Sequence, residues 1–156
     1  MTKEFILTLI GRSRQQLIST FLAVPDDKLT WKPLDNGRSA LELFSEAANT
    51  FAMATEFIAS KGEIKPSREK FGELVAISAG WGKDEAVAAM EANYAAYLKA
   101  WESITPEDLE APITMPFGPG MTAPLGVWAM LPNRTCTVRF GQINYIQTLY
   151  GDFEGH

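Results

Sequence analysis

The sequence predicts an all-α protein: an antiparallel four-helix bundle with an irregular loop or short hairpin before the last helix. Three observations carry this. Four long stretches place apolar residues three and four apart, the spacing of one helix face. Proline and glycine gather mostly between those stretches. One segment, residues 111–124, holds four prolines and two glycines, so it cannot be helical.

The first helix is expected from Thr2 to Leu22. Thr2 is placed to cap it, and Phe5, Ile6, Leu9, Leu17, Ile18 and Phe21 form its apolar stripe. Arg12 and Arg14 fall mostly outside that stripe and read as solvated. Residues 23–38 contain Pro25, Pro33 and Asn36-Gly37, which mark a loop. One helical turn is expected at Pro25–Leu29, with Trp31 and Leu34 pinning the loop to the bundle.

The second helix is expected from Ser39 to Ser60. Ser39-x-x-Glu42 has the form of a capping box, in which side chain and backbone satisfy each other's free groups. Leu43, Phe44, Ala47, Phe51, Ala54 and Ile58 make its inner face. Glu46 lies on the flank, in line with Thr50, Met53 and Phe57. Residues 61–68 read as a polar, solvated loop. A short helix follows over Glu69–Ala79, ending near Gly80. The next long helix spans about 83–104, with Val87, Met90, Tyr94, Tyr97, Leu98 and Trp101 inward. Thr105-Pro106 reads as a helix start or turn.

Residues 111–124 are expected to form two short extended arms around Gly118-Pro119-Gly120, long enough to lid a pocket. The last helix begins near Ala123–Leu125 and ends before Gly151. Pro132 sits inside it, and a proline in a helix interior costs about 3 kcal/mol. A kink or break is therefore expected near 130–132. Along this helix Leu131, Val138, Ile146 and Leu149 share a face with Thr135, Arg139 and Gln142. A cation in an apolar stripe needs a partner, because burying it alone is costly.

Length and composition narrow the function classes. With 156 residues the chain is expected to be one domain, 1–156. Its net charge is 14 minus 19, or -5. No basic stripe or recognition-helix pattern supports nucleic-acid binding. No run of about 18 apolar residues supports a membrane span. The N-terminal residues lack the order of a signal peptide. A single cysteine, Cys136, fits a reducing compartment. His156 is the one histidine, so no histidine cluster exists to bind metal. No phosphate loop, dinucleotide fingerprint or hydrolase triad is present.

Two motifs then point to a family. Ser39-x-x-Glu42-x-x-x-Glu46 resembles the Ser-x-x-Glu-x-x-x-His of the DinB-like (DinB/YfiT) family, on its second helix. Thr135-x-x-x-Arg139-x-Gly141-Gln142-Ile143 resembles that family's His-x-x-x-His-x-Gly-Gln, on its last helix. The close, Tyr145-x-x-x-x-Tyr150-Gly151-Asp152, is also similar. The resemblance implies a four-helix bundle of the bacterial cytoplasm, a homodimer, and a family name linked to damage-induced expression. Several members are metal-dependent, with three histidines holding the ion.

Here those positions read Glu46, Thr135 and Arg139. A hydroxyl is a weak ligand for zinc or nickel. Arg139 stays protonated and repels a dication. The expectation is therefore no metal and no cofactor. In their place Glu46 and Arg139 should pair across the bundle, with Gln142 adding a hydrogen bond. Removing one partner should cost roughly 3–5 kcal/mol if the other stays buried.

The leading functional reading is a non-catalytic protein binding a small, carboxylate-bearing ligand between helices at Glu46, Thr135, Arg139 and Gln142. Thr50, Met53, Phe57 and Trp128 would wall the pocket, and Arg139 would fork onto the carboxylate. The first alternative is a hydrolase- or transferase-type enzyme with non-standard ligands, which the resemblance implies. Its remaining chemistry is thin: Cys136 has no internal histidine to activate it, and arginine would lower the basicity of Glu46. The second alternative is a structural homodimer.

Overall fold

In the computed structural model, which describes residues 2–34, 36–116 and 120–156, the helices start and stop where local chemistry dictates. The order is α1 (Lys3–Leu22), α2 (Ala40–Ala59), α3 (Arg68–Ser78), α4 (Lys83–Ala100), α5 (Pro106–Glu110), β1 (Pro112–Met115), β2 (Met121–Pro124), α6 (Leu125–Trp128) and α7 (Leu131–Leu149). The Thr2 hydroxyl accepts the Phe5 amide at 3.2 Å and caps α1. Ser39 and Glu42 close a reciprocal capping box on α2, at 3.2 and 2.8 Å. Thr105 and Asp108 do the same on α5. The break before α7 falls at Ala129–Met130, and Pro132 lies in the first turn of α7. Its missing N–H leaves no helical bond unmade there.

Four long helices, α1, α2, α4 and α7, form the bundle. α2 packs against α4 and α7, and α1 against α7. The end of α1 meets the end of α7, since Thr20 Oγ1 lies 2.9 Å from Gln147 Oε1, so these two run the same way. α2 and α4 also run together, with Asn93 bonded to the Ala48 carbonyl and Phe51 edge-on to Tyr97. The two pairs oppose each other: Lys3 near the start of α1 donates to the Trp101 carbonyl beyond α4. Setting α4 parallel to α2 requires the chain to return, and the segment carrying α3 does so. Residues 112–115 and 121–124 pair as an antiparallel hairpin, Pro112 opposite Pro124 and Met115 opposite Met121. The expected turn at Gly118-Pro119 lies outside the described residues. No helix among the described residues is long and apolar enough to cross a membrane.

The core is aromatic. Phe21 stacks on Phe44 at 3.9 Å, and Phe51 meets Tyr94 and Tyr97 edge-on at 5.5 Å each. The Tyr97 hydroxyl donates to the Ala129 carbonyl at 3.0 Å, tying α4 to the break before α7.

Several expected core positions differ. Phe5 is exposed on α1, and Ile10 and Ser13 are buried instead. Leu98 is partly exposed. Leu34 is 92% exposed and adopts a positive φ of 58°, so of the two expected anchors Trp31 alone packs, edge-on to Tyr150 at 6.1 Å, and Val24 and Leu29 of the same loop are buried. On α7, Val138 and Leu149 face out; Pro132, Cys136, Ile143, Ile146 and Gln147 face in. Gln147 can be buried because Thr20 satisfies it: Nε2 donates to the Thr20 carbonyl at 3.2 Å. The buried face is thus rotated from the expected stripe and takes in a polar residue. Arg14 is not solvated either. Its guanidinium lies 4.3 Å over the Tyr94 ring and pairs with Glu91 at 2.7 Å.

Candidate functional site

Glu46, Thr50, Met53 and Phe57 recur along one flank of α2, and Thr135, Arg139 and Gln142 along the facing flank of α7. The helices run oppositely here, which brings Glu46 to Arg139. The Arg139 Nη2 donates to Glu46 Oε1 at 2.5 Å, and its Nη1 donates to Gln142 Oε1 at 2.6 Å. The other carboxylate oxygen, Oε2, is ion-paired with Arg38 Nη2, from the loop just before α2. The Glu46 and Arg139 side chains are 20% and 17% exposed. Burial pushes the Glu46 carboxyl up, but hydrogen bonds and charge from Arg139 and Arg38 outweigh it and hold it below the usual carboxylate range.

Beside this cluster opens a cleft of about 990 Å³. Met53, Ala54 and Phe57 of α2, Phe71 of α3, Trp128 of α6 and Leu131 of α7 form its apolar walls. Glu46, Thr50 and Thr135 mark its inner polar edge, and Lys65, Ser67 and Arg68 its other edge. Thr50 turns its hydroxyl to the Glu46 carbonyl, at 2.9 Å. Trp128 is fixed by an indole N–H bond to the Ile113 carbonyl, 2.9 Å, which links the hairpin to the cleft wall.

The expected wall residues Thr50, Met53, Phe57 and Trp128 all border one cleft, as do Glu46 and Thr135. Arg139 and Gln142 do not border it. Arg139 stands behind Glu46 with both terminal nitrogens engaged, and Gln142 is exposed. Arg139 therefore does not offer a free fork to a carboxylate, contrary to the expectation. The 111–124 segment, expected to lid a pocket, contributes Pro116 among its described residues, its tip at 117–119 lies outside them, and residues of 65–71 also border the cleft. Arg38, Lys65, Arg68 and Phe71 were not singled out by sequence. A cation just before the second helix, eight residues ahead of Glu46, is the signal that could have found Arg38. The basic residues of 61–68 read as solvated.

The donors do not suit a divalent metal. Both Glu46 oxygens already face guanidinium groups, Thr135 offers a neutral hydroxyl, and the third position is a cation. Among the described residues, no three of His, Cys, Asp or Glu gather to hold an ion. Cys136 is fully buried, and burial pushes its thiol up to about 12.

The model of the DinB superfamily matches residues 9–131. Thr135, Arg139 and Gln142 lie just beyond that match. No curated protein matches the chain. Among solved structures, the chain is similar to YfiT from Bacillus subtilis, described as a probable metal-dependent hydrolase with an unusual four-helix bundle topology. The TM-score is 0.76 and the identity 14%, over 97% of this chain and 90% of that one. It is similar to a mycothiol-dependent maleylpyruvate isomerase with TM-score 0.72 and 16% identity, over 92% of this chain. This chain spans 61% of that protein's length. A DinB-like protein from Bacillus subtilis aligns with TM-score 0.64 and 15% identity, over 97% of this chain and 95% of that one. At these identities the likeness is one of fold.

Proposed function

The chain belongs to the DinB superfamily, and from that premise we propose a binding protein in which an ion pair replaces the metal centre of its metal-dependent relatives. The ligand is small, mostly apolar and acid-bearing. The observation that carries this is the cleft itself: about 990 Å³, with apolar walls and a few polar groups at its edges. That is the size and character of a small-molecule site.

Binding is favoured over catalysis by the residues at hand. A general base works best with a pKa near the working pH. Glu46 is held in the opposite direction by two arginines. Cys136 is buried, and His156 bonds to Asp152 at 2.9 Å near the end of the chain. An enzyme is the second reading. It draws on the hydrolase and isomerase descriptions of the similar structures and on Glu46 and Thr135 bordering the cleft.

Elemental analysis of tag-free protein, purified without chelator, tests the replacement. The expected metal content is far below one ion per chain. One tightly held zinc or nickel per chain would falsify it. The same protein should show a raised melting temperature with small aryl or alkyl carboxylates, since binding to the folded state stabilises it.

A further inference from the structure

We infer that the cleft takes an amphipathic organic anion whose acid group is held by Lys65 and Arg68, with its apolar body turned inward along Phe57, Phe71 and Trp128. This rests on the binding reading above and assigns the class and direction of the ligand.

The argument is one of available charge. The chain is acidic overall, at -5, yet the charged residues bordering the cleft are Lys65, Arg68 and Glu46. Glu46 is itself countered by two guanidinium groups. The inner cations are spent on Glu46, and neither borders the cleft. Arg139 divides its terminal nitrogens between Glu46 and Gln142, and Arg38 reaches Glu46 and the Glu42 carbonyl.

Lys65 and Arg68 are not spent in this way. The Lys65 amine donates to the Gly62 carbonyl and has no carboxylate partner among the described residues. An ammonium has three donors, so this bond does not exhaust it, and the amine lies 6.0 Å from the centre of the Phe57 ring. Arg68 has no ion pair among the described residues, and its planar fork suits a carboxylate or sulfonate. An acid group at the other end would meet Glu46 with both oxygens already paired, and among the described residues no cation borders the cleft there. That difference sets the direction.

The segment carrying the two cations is held in place. Lys61 and Gly62 adopt positive φ values of 51° and 82°. A side chain at Gly62 would come within 2.8 Å of Ile113, so this glycine lets the loop seat on the hairpin. The Ile64 amide donates to Ser60 Oγ at 2.9 Å, Lys61 pairs with Asp108 at 3.0 Å, and the Ser67 hydroxyl caps α3. Lys65 and Arg68 thus flank a cap and a proline.

Two fluorescent probes with one aromatic body test this: 8-anilinonaphthalene-1-sulfonate, an anion, and N-phenyl-1-naphthylamine, its neutral counterpart. The full chain is titrated with each, alongside Lys65→Gln with Arg68→Gln, whose folding is checked by circular dichroism, since Arg68 is exposed but Lys65 is half-buried. The anion is expected to bind more tightly than the neutral probe. The double variant should weaken the anion about tenfold and leave the neutral probe unchanged, the scale of two partly screened ion pairs. Filling the cleft with Ala54→Phe, or with Thr135→Phe if the first fails to fold, should weaken both probes. Equal affinities, or an anion indifferent to the double variant, overturn the inference and leave the binding reading standing. Neither probe binding, or binding indifferent to a folded filling variant, overturns the inference and removes the support for a cleft ligand.

Discussion

Helix α2 carries two stripes side by side, and they are closed by different means. One, through Phe44, Ala47, Phe51 and Ile58, is fully buried, with Phe44 on Phe21 of α1 and Phe51 on Tyr94 and Tyr97 of α4. The other, through Glu46, Thr50 and Met53 to Phe57, is closed at one end by the Arg139 ion pair and opens below it into the cleft. Ring packing removes apolar area from water and stabilises in proportion. An ion pair can offset its desolvation and contribute little net stability, while fixing which side chains face each other. The first stripe therefore holds the bundle together, and the second positions a site.

The contrast breaks most readily at Phe51. Phe51→Ala should cost about 3–5 kcal/mol, since the site is fully buried between two rings. Met53→Ala, half-buried on the cleft side, should cost about 1 kcal/mol or less. Urea unfolding measures both, and equal costs would mean that the two stripes do the same work. Next in size is Arg139→Met. Arg38 remains to counter Glu46 and the pair is about one-fifth exposed. The loss should therefore be about 1–3 kcal/mol, not the full penalty of an orphaned buried charge. Combining Arg139→Met with Glu46→Gln should cost less than the sum of the two. Strict additivity would show that the pair is not coupled.

Much of this layout was readable in advance because its determinants are local. Thr2, Ser39-x-x-Glu42 and Thr105 cap the helices that they appeared to cap. Pro132 breaks the chain next to the expected place. The Glu46–Arg139 pairing was legible because a cation in the α7 stripe needed a partner and the family resemblance set Glu46 opposite it. What escaped depends on how distant segments meet. The inner face of α7 was misjudged because Thr20 of α1 satisfies Gln147, which makes a polar residue buriable there. Arg14 appeared solvated because Tyr94 and Glu91 lie on another helix. Lys65 and Arg68 reach the cleft through a loop whose path turns on Gly62 and Ile113. No periodicity records such a path.

Acid sharpens the contrast further, because only the second stripe titrates. The Glu46 carboxyl is raised by burial but lowered more by Arg139 and Arg38, so its folded value lies below the unfolded one. Its stabilisation is fully present above the unfolded value, about 4.3, and is lost as pH falls through the folded value. The stability difference between the native chain and Glu46→Gln should therefore be flat from neutral pH to about 5 and close in stronger acid. Its size should be about 1 kcal/mol, given partial exposure and screening. Glu42, Asp108 and Asp152 are also lowered, but they are common to both chains and cancel. A difference that widened in acid would reverse the assigned sign. By contrast, Phe51→Ala should shift the melting temperature alike across this range.

The smallest effect should come from Cys136, which lies on the α1 side of α7 and not on the cleft. It is fully buried near Ser13 and Arg14; burial raises its thiol to about 12, although both neighbours act to lower it. Little thiolate then exists at neutral pH, and the thiolate is the reacting form. Disulfide-exchange titration should find almost no reactive thiol in the native chain and one per chain in denaturant. Blocking after partial unfolding should follow the opening of the α1–α7 seam and not ligand addition. Rapid native labelling, or protection by a cleft ligand, would place Cys136 in the site and return a thiol nucleophile to consideration. A silent Cys136 would leave the cleft with charge and apolar surface as its working chemistry.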